Sequence, residues 1–474
     1  PGILPLAAEP INTGVGSIVM DAAGSAGVAI NKTGIGTDEI AALVSFNDAL
    51  TITASAGQLI LSGGLRSGLS DITFAGAGTT EVKTVSLVTG GNVVKNDAGT
   101  LLFSIANTYS GSTLVNAGTL RVTTNTSLGT SPLTLNGGTF TTAAAVNRSL
   151  TNTVLFGGDI IFGAASTYTG TLTFSGTTDL GNAVRTLTTN VDTTISGDID
   201  PSSMTRLSGG LIKLGSANLT LSGNNAFKGA TTVSAGGLIT IGNSRLTNSY
   251  SVTVASGATL TVGGNETLSS INNSGTLQLD ATLTAAITTG TSTLGGLVSG
   301  NGILVKDGAG TLVVDGANTY TGGTVVDQGT LNLASLGTGS LTQVGNATNV
   351  VIPGDLIING GTQGTGSAVT MLLNAGQIAT TSNVTINGKG VLTLAGGNAL
   401  NNTTYDNTLA SVTFNNIGGE TTAPAVVNVA GSTLLLSSSS AITATSMNAV
   451  TVAIISGGFL ALPTGANTLS VGAI

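Results

Sequence analysis

The sequence predicts an all-β chain wound into a parallel β-helix (β-solenoid) of roughly 20 coils of about 23 residues, and three observations carry that prediction. A 26-residue segment recurs at 97–122 and 308–333, with a weaker copy at 215–240. From about residue 51 onward, short alternating apolar runs punctuated by Gly, Asn and Ser fill the chain. Charged residues make up only 7% while hydrophobic residues make up 41%, so neutral hydroxyls and amides must cover the outside.

The two clear copies, DAGTLLFSIANTYSGSTLVNAGTLRV and GAGTLVVDGANTYTGGTVVDQGTLNL, align without a gap at an offset of 211. Asn107, Tyr109 and Gly111 map onto Asn318, Tyr320 and Gly322, and the weaker copy places Asn225, Phe227 and Gly229 at the same steps. A solenoid copy that returns to the same side of the coil does so after a whole number of turns. Offsets of 118 and 93 then fit five and four coils of about 23 residues. With neighbouring strands about 4.8 Å apart, this describes a rod on the order of 100 Å long.

Strands of three to six residues, such as LTITA, SVTVASGATLTV and VVNVAGSTLLLS, suit a coil in which each strand pairs with those one turn above and below. Alternation points Leu101, Phe103 and Leu120 inward in the first copy, and Leu312, Val314 and Leu331 in its partner. Asn107, Asn225 and Asn318 read as corner residues that adopt a left-handed backbone or bond the neighbouring coil's amide. Tyr109, Phe227 and Tyr320 read as a packing column rather than a platform for stacking sugars. Residues 1–50 are less regular and are expected to form an N-terminal cap or first coils, with 51–474 forming the helix. Within them, Thr37 to Leu50 fits a capped helix or strands equally well. Alternation weakens at 335–366 and 398–424, which are expected to be loops carrying any binding specificity.

Composition excludes several classes. Disorder pairs low hydrophobicity with high charge, the opposite of this chain. A net charge of -8, with 13 basic residues scattered singly, argues against a nucleic-acid partner. No run of 18 apolar residues offers a transmembrane helix. The chain opens at Pro1 without a secretory signal, as a processed or excised piece would. With no His and no Cys, Ser/His/Asp triads, Cys/His pairs, disulfides and His- or Cys-ligated zinc are all unavailable.

The remaining enzymatic reading, carbohydrate cleavage, needs paired carboxylates or Ca²⁺ with a base. The one adjacent acidic pair is Asp38 with Glu39, and the adjacent Lys306 and Asp307 read as a solvated turn. SGDID places Asp198 and Asp200 two apart, which on a strand would face one side and form a weak Ca²⁺ candidate. No catalytic residue and no cofactor other than that Ca²⁺ is expected.

The segment GAGTLVVDGANTYTGGTVVDQGTLNL resembles the passenger-associated repeat of bacterial autotransporters, and Ser256 to Asp280 is similar to the spacer that precedes it there. This resemblance implies a right-handed parallel β-helix exported to the outer surface of a Gram-negative cell, with the repeat as a structural and secretion element. The membrane barrel that ends a complete autotransporter has no counterpart here. The apolar final stretch, without a polar cap, is expected to be a cleavage product's end or a docking face.

Three functions follow as expectations. The first is a non-catalytic structural surface protein that self-associates into a layer or fibre, encouraged by weak charge repulsion. The second is an adhesin that binds a cell-surface receptor or polysaccharide. The third is a carbohydrate-active enzyme, which the fold alone allows.

Overall fold

The computed structural model describes residues 3–5, 16–22, 27–164, 168–200, 208–334, 350–360, 368–371, 376–394, 406–416, 423–429, 433–438, 442–446, 451–462 and 469–473. Among these the secondary structure is strand, turn and bend, with no helix, and the strands pair in parallel ladders. The chain is a parallel β-helix. No helix is long and apolar enough to cross a membrane.

The chain divides into two compact units, Pro1–Thr231 with Ala235–Ile239, and Thr232–Ser234 with Thr240–Ile474. In the first unit each coil lays strands on three faces. On one face Val28, Leu50, Ile72, Val93, Thr113, Leu133, Val154 and Thr178 stack in register, so a coil there takes 20 to 24 residues. On a second face Leu59, Thr80, Leu101, Leu120 and Phe140 form an inner column beside Leu61, Val82, Phe103, Val122 and Thr142. A third face carries Leu43–Phe46 and Leu87–Val88 early, and Arg148–Leu150, Leu172–Phe174, Thr193–Ile195 and Asn218–Leu221 later.

In the second unit the corresponding register runs Glu266, Leu283, Leu304, Thr324, Leu356, Val384, Val412, Ile442 and Leu469. The step there ranges from 17 to 32 residues. The extra length falls in the connections, since strands stay at three to six residues to fit the pleat of their neighbours.

Period-two alternation sets the core. Leu101, Phe103, Leu120, Leu312, Val314 and Leu331 are all fully buried, as the alternation predicts. Removing such a side chain from water contributes about 1.5–3 kcal/mol each. The stretch from Thr37 to Leu50 resolves as strands, Thr37–Ile40 and Leu43–Phe46, because Asp38, Ile40, Val44 and Phe46 bury at spacing two and not at helical spacing. Much of 335–366 and 398–424 lies outside the described residues. Within them Leu356–Asn359, Asp406–Leu409 and Ser411–Asn416 are strands of the coil rather than loops.

Whole-turn spacing does not hold for the middle copy. The first copy's strand Thr100–Phe103 lies on the second face, whereas its counterpart Asn218–Leu221 in the middle copy pairs with Thr193–Ile195 on the third. The middle copy is rotated by one face. Register steps of 27 (Ile160 to Leu187) and 26 (Val184 to Gly210) account for it. The repeat dictates strand, corner and strand, and is indifferent to which face it begins on.

Candidate functional site

Each repeat builds a two-coil module around a buried asparagine. Asn107 is 3% exposed; its Oδ1 accepts the N–H of Leu87 at 2.9 Å and its Nδ2 donates to Ser127 O at 2.7 Å. Asn318 repeats this, accepting from Val298 N–H at 2.8 Å and donating to Val351 O at 2.9 Å, and Asn225 accepts from Ile199 N–H at 3.3 Å. None of the three has a left-handed backbone. Of the two expected roles, bonding to the neighbouring coil is the one these residues perform.

Tyr109 and Tyr320 are buried, and each phenol is 2.6 Å from the hydroxyl of the threonine four residues on, Thr113 or Thr324. Burial raises both phenol pKa values above the ordinary tyrosine value. Phe227 takes the same buried place without the hydroxyl. These rings are inside the coil, out of reach of a sugar. Gly111, Gly229 and Gly322 lie against the carbonyls of Gly91, Gly209 and Gly302, where an added Cβ would come within 1.9–2.4 Å of the oxygen. Close coil-to-coil approach therefore requires glycine at this corner.

A buried lysine introduces each module, and the sequence reading passed over it. Lys95, Lys213 and Lys306 are 0–2% exposed and occupy inward strand positions otherwise held by apolar residues, Lys95 standing in register between Phe74 and Val115. The expectation that Lys306 and Asp307 form a solvated turn is thus incorrect for the lysine. The ammonium of Lys306 donates to Asp307 O at 2.8 Å, Gly308 O at 2.6 Å and Gln328 O at 3.0 Å. Lys213 donates to Leu214 O, Gly215 O and Ala235 O at 2.9, 2.9 and 3.0 Å. Lys95 donates to Asn96 O, to Asp97 O at 2.8 Å and to Ala117 O at 3.3 Å. Burial lowers all three pKa values to about 8, against the opposing pull of Asp97, Asp192 and Asp307. The available signal was a lysine on the inward phase of VVK, LIK and LVK, directly before each copy.

The acidic candidates do not converge. Asp38 is buried and pairs with Lys32 at 3.1 Å, while Glu39 accepts the hydroxyl of Ser62, so alternation sends the adjacent carboxylates to opposite sides of their strand. Asp198 and Asp200 are not on one face either. Asp198 Oδ1 accepts the N–H of Asn224 in the following coil at 2.8 Å, and Asp200 Oδ1 accepts that of Leu180 in the preceding coil at 2.7 Å. Asp200 has φ 47°, a left-handed turn that breaks the strand alternation on which the same-side expectation rested. Among the described residues no group of three or more His, Cys, Asp or Glu side chains is placed to hold a metal ion. The polar groups of the repeat modules spend their hydrogen bonds joining coil to coil.

Fold and modules together define a parallel β-helix with a repeated lysine, asparagine and glycine module. The family described as Passenger-associated-transport-repeat matches this chain at residues 93–122, 211–239 and 304–333, each match beginning just before or on a buried-lysine strand and ending with the second coil. The chain is also similar to the adhesin BmaC autotransporter of Brucella suis biovar 1 (strain 1330), at 37% identity over 106 residues. That match covers 21% of this chain and 3% of the adhesin. No solved structure matches. The autotransporter-passenger resemblance read from the repeats is met by both comparisons.

Proposed function

We propose that this chain is part of a surface passenger of a Gram-negative autotransporter and that it serves adhesion without catalysis. The observation that carries the reading is the set of three transport repeats stacked into one type of coil, and the similarity to an autotransporter adhesin supports it. In this reading the β-helix is the scaffold, and a cell-surface receptor or polysaccharide binds at its outer residues. Adhesion of cells displaying the chain, compared with cells displaying an unrelated β-helix, tests it. Equal adhesion of the two would refute the adhesive role.

A second reading, a self-associating surface layer or fibre, has one observation in its favour. In the last coils of the second unit Val452, Phe459, Leu460 and Leu462 are exposed, Phe459 at 70% and Val452 at 67%, on a chain with few charges to keep copies apart. Electron microscopy of purified protein separates the two: a lattice or filament favours the layer, and dispersed monomers the adhesin.

A further inference from the structure

We propose that the buried lysine of each transport repeat is a register clamp: a fixed internal cation, bound by carbonyl oxygens of two successive coils, that determines which coil stacks on which.

The geometry recurs with little variation. In Lys95, Lys213 and Lys306 the ammonium takes the carbonyls of the next two residues and a third carbonyl 22 residues on, from Ala117, Ala235 and Gln328. The residue two positions after the lysine, Asp97, Gly215 or Gly308, has φ between 58° and 82°, which turns its carbonyl inward. The residue 23 positions after it is a left-handed glycine, Gly118, Gly236 or Gly329. A Cβ at Gly118 or Gly236 would lie 2.6 or 3.0 Å from the ammonium nitrogen. Lysine, turn and glycine therefore form one cradle spread over two coils. Lys32 gives a variant outside the matched repeats, donating to Gly34 O and pairing with Asp38. Of the chain's 13 basic residues four are buried among the described residues, three of them in this cradle.

A clamp answers a problem that this fold and composition create. Columns such as Leu59, Leu101 and Leu120 are nearly interchangeable, so apolar packing alone discriminates poorly between one coil stacking and another. An inward lysine is satisfied only where the next coil brings a carbonyl and a glycine to the same point. Stacked on any other coil it keeps the two carbonyls of its own turn but loses the third, leaving a buried charge short of an acceptor, a costlier state than a misplaced leucine. The repeats thus mark three places along a monotonous chain where the register is unambiguous.

The test is chemical rescue in the full chain. Lys213→Ala removes the ammonium donor that the three carbonyls share, and trypsin cleavage within the first unit is expected to accelerate about tenfold or more. Ammonium chloride at about 0.5 M, but not sodium chloride at equal ionic strength, is expected to restore most of the resistance by occupying the vacated cradle. Lys213→Met, which fills the volume but donates nothing, is expected to be cleaved faster than wild type and to show no ammonium rescue. If Lys213→Ala fails to fold in plain buffer, folding in ammonium but not sodium chloride supports the clamp, and folding in neither overturns it. Wild-type resistance in Lys213→Met, or equal rescue by sodium and ammonium, would also overturn it.

Discussion

Asn107 accepts a hydrogen bond from the main-chain N–H of Leu87, 20 residues before it, and donates one to the carbonyl of Ser127, 20 residues after it. One buried side chain thus joins three successive coils. Truncating it orphans a buried N–H and a buried C=O at once. Asn107→Ala is expected to destabilise the first unit by about 2–5 kcal/mol, with Asn318→Ala acting comparably on the second. The exposed ladder residue Asn116, which bonds Asn96 and Asn136 from outside, is expected to cost under about 1 kcal/mol when replaced by Ala. Urea unfolding of the full chain ranks the three, and equal effects at Asn107 and Asn116 would count against the coil-joining role.

The tyrosine position separates packing from recognition. Tyr320→Phe removes only the bond to Thr324 and is expected to cost about 1 kcal/mol, while Tyr320→Ala opens a cavity worth about 3–5 kcal/mol. Because the ring is fully buried, binding of any glycan by the folded chain is expected to be the same for Tyr320→Phe and wild type. A glycan array in which Tyr320→Phe loses a signal would show the ring to be a binding element after all.

Asp200 makes the first unit sensitive to pH. Burial raises its pKa from 3.8 to about 7; the bond from Leu180 opposes the shift, and the neighbouring Asp179 adds to it. Its Oδ2 is buried and has no hydrogen-bond partner, so the charged form gains little there to offset burial. A group whose folded pKa is raised contributes stability that is complete below the unfolded value and is lost as pH climbs through the folded one. The window here runs from about pH 4 to pH 7. Asp200→Asn is expected to flatten the stability loss of the first unit between pH 5 and pH 8, read by denaturation at both values. An unchanged slope would assign that loss to other carboxylates.

The exposed apolar side chains Val452 and Phe459 of the second unit have their own consequence. Phe459→Ser with Val452→Ser is expected to lower any self-association of the purified chain, since both side chains are largely exposed and contribute little to the core. Sedimentation velocity over a concentration series reads this directly. Unchanged association would place the contact elsewhere.

Periodicity made the fold legible, because a period of two with glycine and asparagine breaks leaves few options for a chain without helical spacing. Leu101, Phe103 and Leu331 are buried where alternation puts them. The repeat's corners were legible as corners, but the partners of Asn107 were not, since Leu87 and Ser127 are 20 residues away and nothing in either marks it as a partner. Lys306 was misread because hydrophobic patterning treats a charge as an outward signal; three carbonyls from two coils reverse that, and their convergence exists only in three dimensions. Asp200 was misplaced for a local reason, a left-handed residue that ends the alternation. The face rotation of the middle copy escaped because coil length is set by the connections, whose sequences carry no period.

The proposed function requires this chain to be displayed outside the cell. Antibodies raised against the folded chain, applied to intact and to permeabilised source cells, test display most directly. Labelling of intact cells at the level of permeabilised ones, abolished by brief external protease, is the predicted result. Labelling that appears only after permeabilisation would contradict it.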